Sequence, residues 1–174
     1  SYHSYRNSDI NNYLVAAEEL AKKGFALIRV GSKVKKKIIT NSKYVIDYST
    51  SIYQSDFMDV YLQSICYFII SNGSGINELA RIFKKPILYV NFIPYAYSPT
   101  YQSKLICNYK KVYDEKKKKY LSLREMFESG VAQAYSKKEF DERKITLYEN
   151  TPEEIKNASF EMLEEIKNNF VISK

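Results

Sequence analysis

Apolar residues at Ile10, Tyr13, Leu14, Ala17, Leu20 and Ala21 recur at spacings of three and four, which predicts an amphipathic helix. Ser8 stands where an N-cap belongs, and Gly24 closes the helix after Lys22 and Lys23. Phe25 to Val30 reads as a buried strand ending at Gly31, Lys33 to Asn41 as a polar connection, and Tyr44 to Asp47 as a second, short strand. Ser55 caps the next helix, whose first turn holds Asp56 and Asp59, where the helix dipole favours negative charge. Its apolar stripe is Phe57, Met58, Tyr61, Leu62 and Ile65. Cys66 to Ile70 follows as the clearest buried strand, and it runs into Ser71-Asn72-Gly73-Ser74-Gly75. A helix with Ile76, Leu79, Ala80 and Phe83 comes next, and Pro86 introduces a strand from Ile87 to Val90.

Beyond Asn91 the periodicity fades into a Tyr/Pro loop and a Lys-rich stretch. Leu121 to Ser129 predicts a helix and Ile145 to Tyr148 a last strand. Thr151 and Glu154 form a capping box for a final helix with Ile155, Ala158, Met162 and Ile166 on one face. No internal repeat interrupts this order. Strands that are apolar on both faces and alternate with helices imply an α/β fold of Rossmann type, a mostly parallel sheet covered by helices on both sides. A parallel α/β unit normally opens with a strand, and here a helix comes first. The reading is therefore one domain over residues 1–174 that lacks its first strand and is part of something longer. Ligands of such sheets bind at the carboxyl ends of the strands.

Composition narrows the picture. With 174 residues, 45% hydrophobic and 27% charged, the chain fits one globular domain. No apolar run approaches the roughly 18 residues of a membrane span, and no signal-peptide core precedes the first helix, so a cytoplasmic location is expected. Cys66 and Cys107 match no metal or redox spacing, and the one histidine, His3, gives no zinc site and a poor basis for a catalytic triad. No Asp-x-Asp pair points to a divalent cation, so no metal and no cofactor are expected. The net charge of +7 is largely local: Lys104 to Lys119 holds seven lysines against Asp114 and Glu115. Such a cluster is ordinarily a solvated loop or one basic face rather than a groove tracking a duplex, so nucleic acid is not an expected partner. Interleaved with Tyr109, Tyr113 and Tyr120, it would suit peripheral contact with anionic lipid at the inner face of a membrane.

Candidate chemistry gathers at strand ends. The Ser71 to Gly75 segment lies between strand and helix, where two glycines allow close backbone approach, two serines offer hydroxyls, and a helix N-terminus offers amides to an anion. It is neither a Walker loop nor a full dinucleotide fingerprint, since Glu78 stands where a third glycine would be. A plain Gly-rich turn explains the same residues. Arg29 sits near the end of a buried strand and needs a phosphate or a carboxylate, with Asp47 or Glu78 as structural candidates. Arg6 precedes the first helix in another strand-end loop. Two arginines and one Gly/Ser loop on one sheet edge would suit a diphosphate. Asp47 and Tyr48, after the second strand, and Glu78 are candidates for a base or ribose, and Tyr95, Tyr97 and Tyr101 for stacking.

Together the segments Tyr5 to Asp9, Leu27 to Gly31, Ile46 to Tyr48, Ser55 to Asp59, Gly73 to Gly75, Lys85 to Pro94 and Asn150 to Ile155 resemble, in order and over most of the chain, bacterial glycosyltransferases of surface-polysaccharide clusters. That family looks like the C-terminal, donor-binding half of a GT-B transferase. The resemblance implies donor-diphosphate roles for Arg6, Arg29, Ser71, Asn72, Gly73, Ser74 and Gly75. It also implies a nucleotide-sugar substrate, no metal, and a glycan or lipid-linked acceptor held by an N-terminal domain. The catalytic residues would then lie outside this chain, which alone would transfer no sugar. The competing reading is a non-catalytic nucleotide or sugar-phosphate binding module.

Overall fold

The computed structural model describes residues 2–32 and 34–170; Ser1, Lys33 at the head of the expected polar connection, and residues 171–174 lie outside the described residues. The chain is a mixed α/β protein. After a single 3-10 turn at Ser4–Arg6, α1 spans Asn11–Lys22. The strand β1 (Leu27–Ile28) pairs in parallel with β2 (Val45–Ile46). Next come α2 (Asp56–Ile65), β3 (Ile69–Ser71), α3 (Asn77–Ile82) and β4 (Ile87–Phe92). The C-terminal part holds β5 (Leu105–Tyr109), β6 (Lys111–Asp114), β7 (Lys119–Tyr120), α4 (Leu123–Glu128), α5 (Lys137–Glu142), β8 (Ile145–Tyr148) and α6 (Pro152–Lys167).

Three small sheets result: parallel β1–β2, parallel β3–β4–β5, and antiparallel β7–β6–β8. The strand β4 is buried along its whole length, and its alternation explains how helices cover both faces. Leu88 and Val90 pack with Ala16 of α1 and with Ile155, Ala158 and Met162 of α6. Ile87 and Tyr89 point the other way, into a cluster with Ala80 of α3 and with Phe92. A separate core under the antiparallel sheet joins Val112, Leu121, Met126, Phe140 and Ile145 with Tyr5. Among the described residues no helix is long and apolar enough to cross a membrane.

Several expectations are corrected. Ser8 does not cap α1: its hydroxyl pairs with Tyr13 Oη, and Asp9 Oδ1 receives the Asn11 amide instead. The first strand is two residues long rather than six, and Cys66 ends α2 rather than opening β3. Ser55 does cap α2, accepting from the Met58 amide, yet Phe57, Tyr61 and Ile65 of the expected stripe are exposed while Gln63 is buried. The Lys-rich stretch is not a loop. From Leu105 it forms β5, β6 and β7, and the turn after β6 is held by Asp114 Oδ1, which accepts the Lys116 and Lys117 amides at 2.8 and 3.0 Å. Val112 and Asp114 face inward while Lys111 and Tyr113 face outward, so the alternation is present but its outer half is too polar to announce a strand. The last strand, β8, belongs to the antiparallel sheet, not the parallel one.

Candidate functional site

The site lies where β3 and β4 end. Ser71 is the last residue of β3 and stands in register with Tyr89 of β4. Asn77, in the first turn of α3, closes over this pair. Ser71 Oγ donates to Asn77 Oδ1 at 2.8 Å, and Asn77 Nδ2 donates to Tyr89 Oη at 3.0 Å. The Gly73 amide donates back to Ser71 Oγ at 3.2 Å. Asn77 and Tyr89 are each only 3% exposed, so this polar chain is buried, and each link pairs one polar group with the next, leaving the Tyr89 hydroxyl proton without an acceptor among the described residues. Burial pushes the Tyr89 hydroxyl up to about 12, so it is a neutral hydrogen-bonding group at any ordinary pH.

Gly73 makes the turn possible. Its φ is +84°, and a Cβ there would stand 3.1 Å from Phe92 Cε2, so both conformation and space demand glycine. Asn72 carries the N-terminal segment to the loop, its Nδ2 donating to Arg6 O at 3.1 Å and Ser8 Oγ at 3.2 Å. Lys110 Nζ holds Asn7 O at 2.5 Å, and Glu149 Oε2 takes both the Asp9 amide and Asn12 Nδ2. A reciprocal pair, Asn91 N to Asn150 Oδ1 and Asn150 N to Asn91 Oδ1, locks the end of β4 to the β8–α6 connection. Arg6 is thereby fixed beside Gly73. Its Nε donates to Tyr5 Oη at 3.0 Å, and it forms no ion pair among the described residues.

Two cavities flank the loop, and they differ in charge: among the described residues the smaller is lined by Arg6 and Glu78, the larger by two carboxylates and no cation. The smaller, about 160 Å³, is walled by Arg6, Gly73, Tyr89, Phe92, Tyr97 and Tyr101. The larger, about 520 Å³, lies between the ends of β1 and β3, with Gly31 and Ser32 on one side, Ser74 and Gly75 on the other, and Asp56 and Asp59 of α2 beneath. One Asp59 carboxylate oxygen is buried there without a hydrogen-bond partner. An anion is favoured on the Arg6 side, where Arg81 pairs with the Glu78 carboxylate, and opposed by the two carboxylates on the other.

Of the expected site residues, the structure brings Arg6 together with Asn72, Gly73 and Glu78, and sets Ser74 and Gly75 on the adjoining cavity. Arg29 goes elsewhere: its Nη1 donates to Lys36 O at 2.6 Å and lies 3.4 Å from Asp47, with both side chains buried to a similar degree (13% and 14% exposed). Asp47 also takes the Ile38 amide and Ser49 Oγ. Burial would raise the Asp47 carboxyl, but the Ser49 and Ile38 hydrogen bonds and the Arg29 charge outweigh it and hold it below its ordinary value. Tyr48 is buried, its hydroxyl bound to the backbone of Ser55. Glu78 is held by Arg81 at 2.5 Å.

The expected row of free helix-end amides is shorter than the sequence implies. The Asn77, Glu78 and Leu79 amides are taken by Ser74, Gly75 and Ile76 carbonyls in a tight first turn, which leaves those of Ser74, Gly75 and Ile76 without an acceptor among the described residues. Tyr89 and Asn77 went unnoticed in the sequence because each sits inside an apolar or helical run. Their cue is a polar atom at a core-facing position, legible only once β3 and β4 are known to be neighbours. Neither thiol is primed for chemistry, since burial raises both Cys66 and Cys107, the latter to about 11. Compared with family models, curated proteins and solved structures, the chain matches none.

Proposed function

We propose that this chain is the nucleotide-sugar donor-binding domain of a glycosyltransferase of bacterial surface-polysaccharide synthesis, acting in the cytoplasm with its acceptor held by another domain. The observation that carries the reading is the half-buried Arg6 guanidinium, without a carboxylate partner among the described residues, fixed beside the Gly73 backbone at the carboxyl end of a parallel sheet. A guanidinium desolvated without an anion is costly, and a diphosphate offers charge and fork-shaped acceptors together. The chemical role is electrostatic: Arg6 and the Ser74 to Ile76 amides stabilise charge on the departing nucleoside diphosphate. The resemblance of the Tyr5 to Asp9 and Gly73 to Gly75 segments supports the same assignment.

The Rossmann-type arrangement belongs to this proposal. Among the described residues strands β1 and β3 each pair on one side only, and the Phe25 and Tyr67 rings meet at 5.6 Å beside their starts. One further parallel strand between them would give a continuous sheet in doubly wound order. The Lys104–Lys119 face retains a membrane role in this reading. Lys111, Lys118 and Lys119 are engaged by Glu154, Glu115 and Glu125 and Lys110 is buried, so the cations offered to anionic lipid are Lys104 and, at the β6–β7 turn, Lys116 and Lys117.

A thermal-shift series tests the donor reading. A nucleoside diphosphate at 100 times its Kd stabilises the folded state by about 2.7 kcal/mol, which raises the Tm by about 5–11 °C in a domain of this size. Arg6→Ala removes most of that shift. If no nucleoside diphosphate or nucleotide sugar raises the Tm of the wild-type chain, the reading is wrong.

A further inference from the structure

We propose that the smaller cavity is a nucleobase subsite selecting bases that carry a ring carbonyl, with Tyr89 as the specificity-determining donor. The inference rests on the donor-binding reading and adds the identity of the group that sits beyond the diphosphate.

The buried chain at the cavity's floor has a direction. Gly73 N–H donates to Ser71 Oγ, Ser71 donates to Asn77 Oδ1, and Asn77 Nδ2 donates to Tyr89 Oη. In each link the proton points toward Tyr89, whose oxygen accepts and whose own proton has no acceptor among the described residues. Tyr89 lines the cavity, so that proton is free for a ligand. Glu78, which shares the wall, takes no hydrogen bond from Tyr89 among the described residues, and its Oε2 is bound by Arg81.

A floor that presents a donor selects an acceptor. A carbonyl oxygen meets the requirement outright. A sugar hydroxyl can accept, but its own proton then needs a further partner that the floor does not supply. A phosphoryl oxygen would also accept, but Phe92, Tyr97 and two prolines make much of the wall uncharged, while the Tyr101 ring is covered by the Arg81 guanidinium at 4.7 Å. Stacking on such rings rewards a flat, apolar face and gives nothing to a phosphate, which would lose its hydration there. A volume of about 160 Å³ matches the share of about five water molecules at roughly 30 Å³ each, room for one ring and not for a whole nucleotide. Arg6 and Gly73 on the same wall leave the phosphates of a nucleotide seated this way next to the guanidinium.

Isothermal titration of uridine, UDP, GDP and ADP into wild type, Tyr89→Phe and Arg6→Ala tests this, with melting curves of each variant. Uracil and guanine carry a ring carbonyl and adenine carries none. Wild type is expected to prefer UDP and GDP over ADP by roughly three- to tenfold, the worth of one hydrogen bond. Tyr89→Phe, which keeps the ring, should erase that preference by weakening UDP and GDP alone. Equal affinity of wild type for UDP and ADP overturns the subsite whatever Tyr89→Phe does, as does an equal loss for both in a folded Tyr89→Phe. The underlying reading fails separately: if UDP binds no tighter than uridine and Arg6→Ala changes nothing while the base preference persists, the diphosphate site is wrong and the base subsite stands. Absence of binding by every nucleotide and by uridine sinks both.

Discussion

Arg29→Ala is the substitution that most sharply separates a structural arginine from a ligand-binding one. Nη1 lies 3.4 Å from both Asp47 carboxylate oxygens, longer than an optimal charged hydrogen bond, and 2.6 Å from Lys36 O. Removing one partner of a buried ion pair costs about 3–5 kcal/mol in general. Here Asp47 keeps the Ile38 amide and Ser49 Oγ, so the low end, about 3 kcal/mol, applies. For a domain of this size that lowers the Tm by about 6–12 °C. The acid dependence carries a definite sign. The Asp47 carboxyl is held below its ordinary 3.8, so the pair contributes fully above about pH 4 and is lost as pH falls through the depressed value. Melting curves of wild type and Arg29→Ala should therefore differ by a constant amount from pH 7 to about pH 5 and converge below about pH 4. Diphosphate affinity, measured by calorimetry at a temperature where both are folded, should change by less than about threefold, in contrast to the loss expected from Arg6→Ala. A Tm within about 1 °C of wild type, combined with lost diphosphate binding, would refute the ion-pair account and return Arg29 to the ligand.

Gly73→Ala should cost about 1–2 kcal/mol from the positive φ alone and more as Phe92 gives way, whereas Gly75→Ala, whose added Cβ meets nothing within 4 Å, should leave the melting curve almost unmoved; equal effects would show the turn to be misplaced. Asn150→Ala strips the Asn91 amide and the Tyr109 carbonyl of their partners, so a loss of about 2–4 kcal/mol is expected in urea unfolding, and a loss under about 1 kcal/mol would mean that water replaces the side chain. Lys116→Glu with Lys117→Glu should abolish any preference for phosphatidylserine over phosphatidylcholine vesicles, since each juxtamembrane lysine is worth about 1 kcal/mol; equal sedimentation of the wild type with both vesicles would remove membrane contact from the proposal.

What the sequence by itself determined is local. Ser55 caps α2, and Thr151 with Glu154 closes a reciprocal capping box on α6, because these bonds join residues three apart and need nothing from the rest of the chain. The burial of β4 was legible for the same kind of reason: the four-residue apolar run Ile87 to Val90, entered through Pro86, can be satisfied only inside a sheet, though the strand extends two residues further to Phe92. Proximity across the fold was not legible. Tyr89 faces Ser71 because β3 and β4 pair in one register, and Arg6 reaches Gly73 because Asn72 bonds to a backbone oxygen 66 positions away. Along the chain Arg29 and Arg6 are both arginines of strand-end loops, and Asp47 was already a candidate structural partner for Arg29, the pairing that the structure shows. The turn at Asp47, carrying a carboxylate already fixed by Ile38 and Ser49, captured one and left the other without a protein anion among the described residues. Likewise the lysines of β6 and β7 read as loop until the inward faces of Val112 and Asp114 were placed against a core assembled from α4, α5 and β8. Short-range hydrogen bonds are written in neighbouring residues; which cation meets which anion depends on the edges that pack together, and that was settled only by burial of distant parts of the chain.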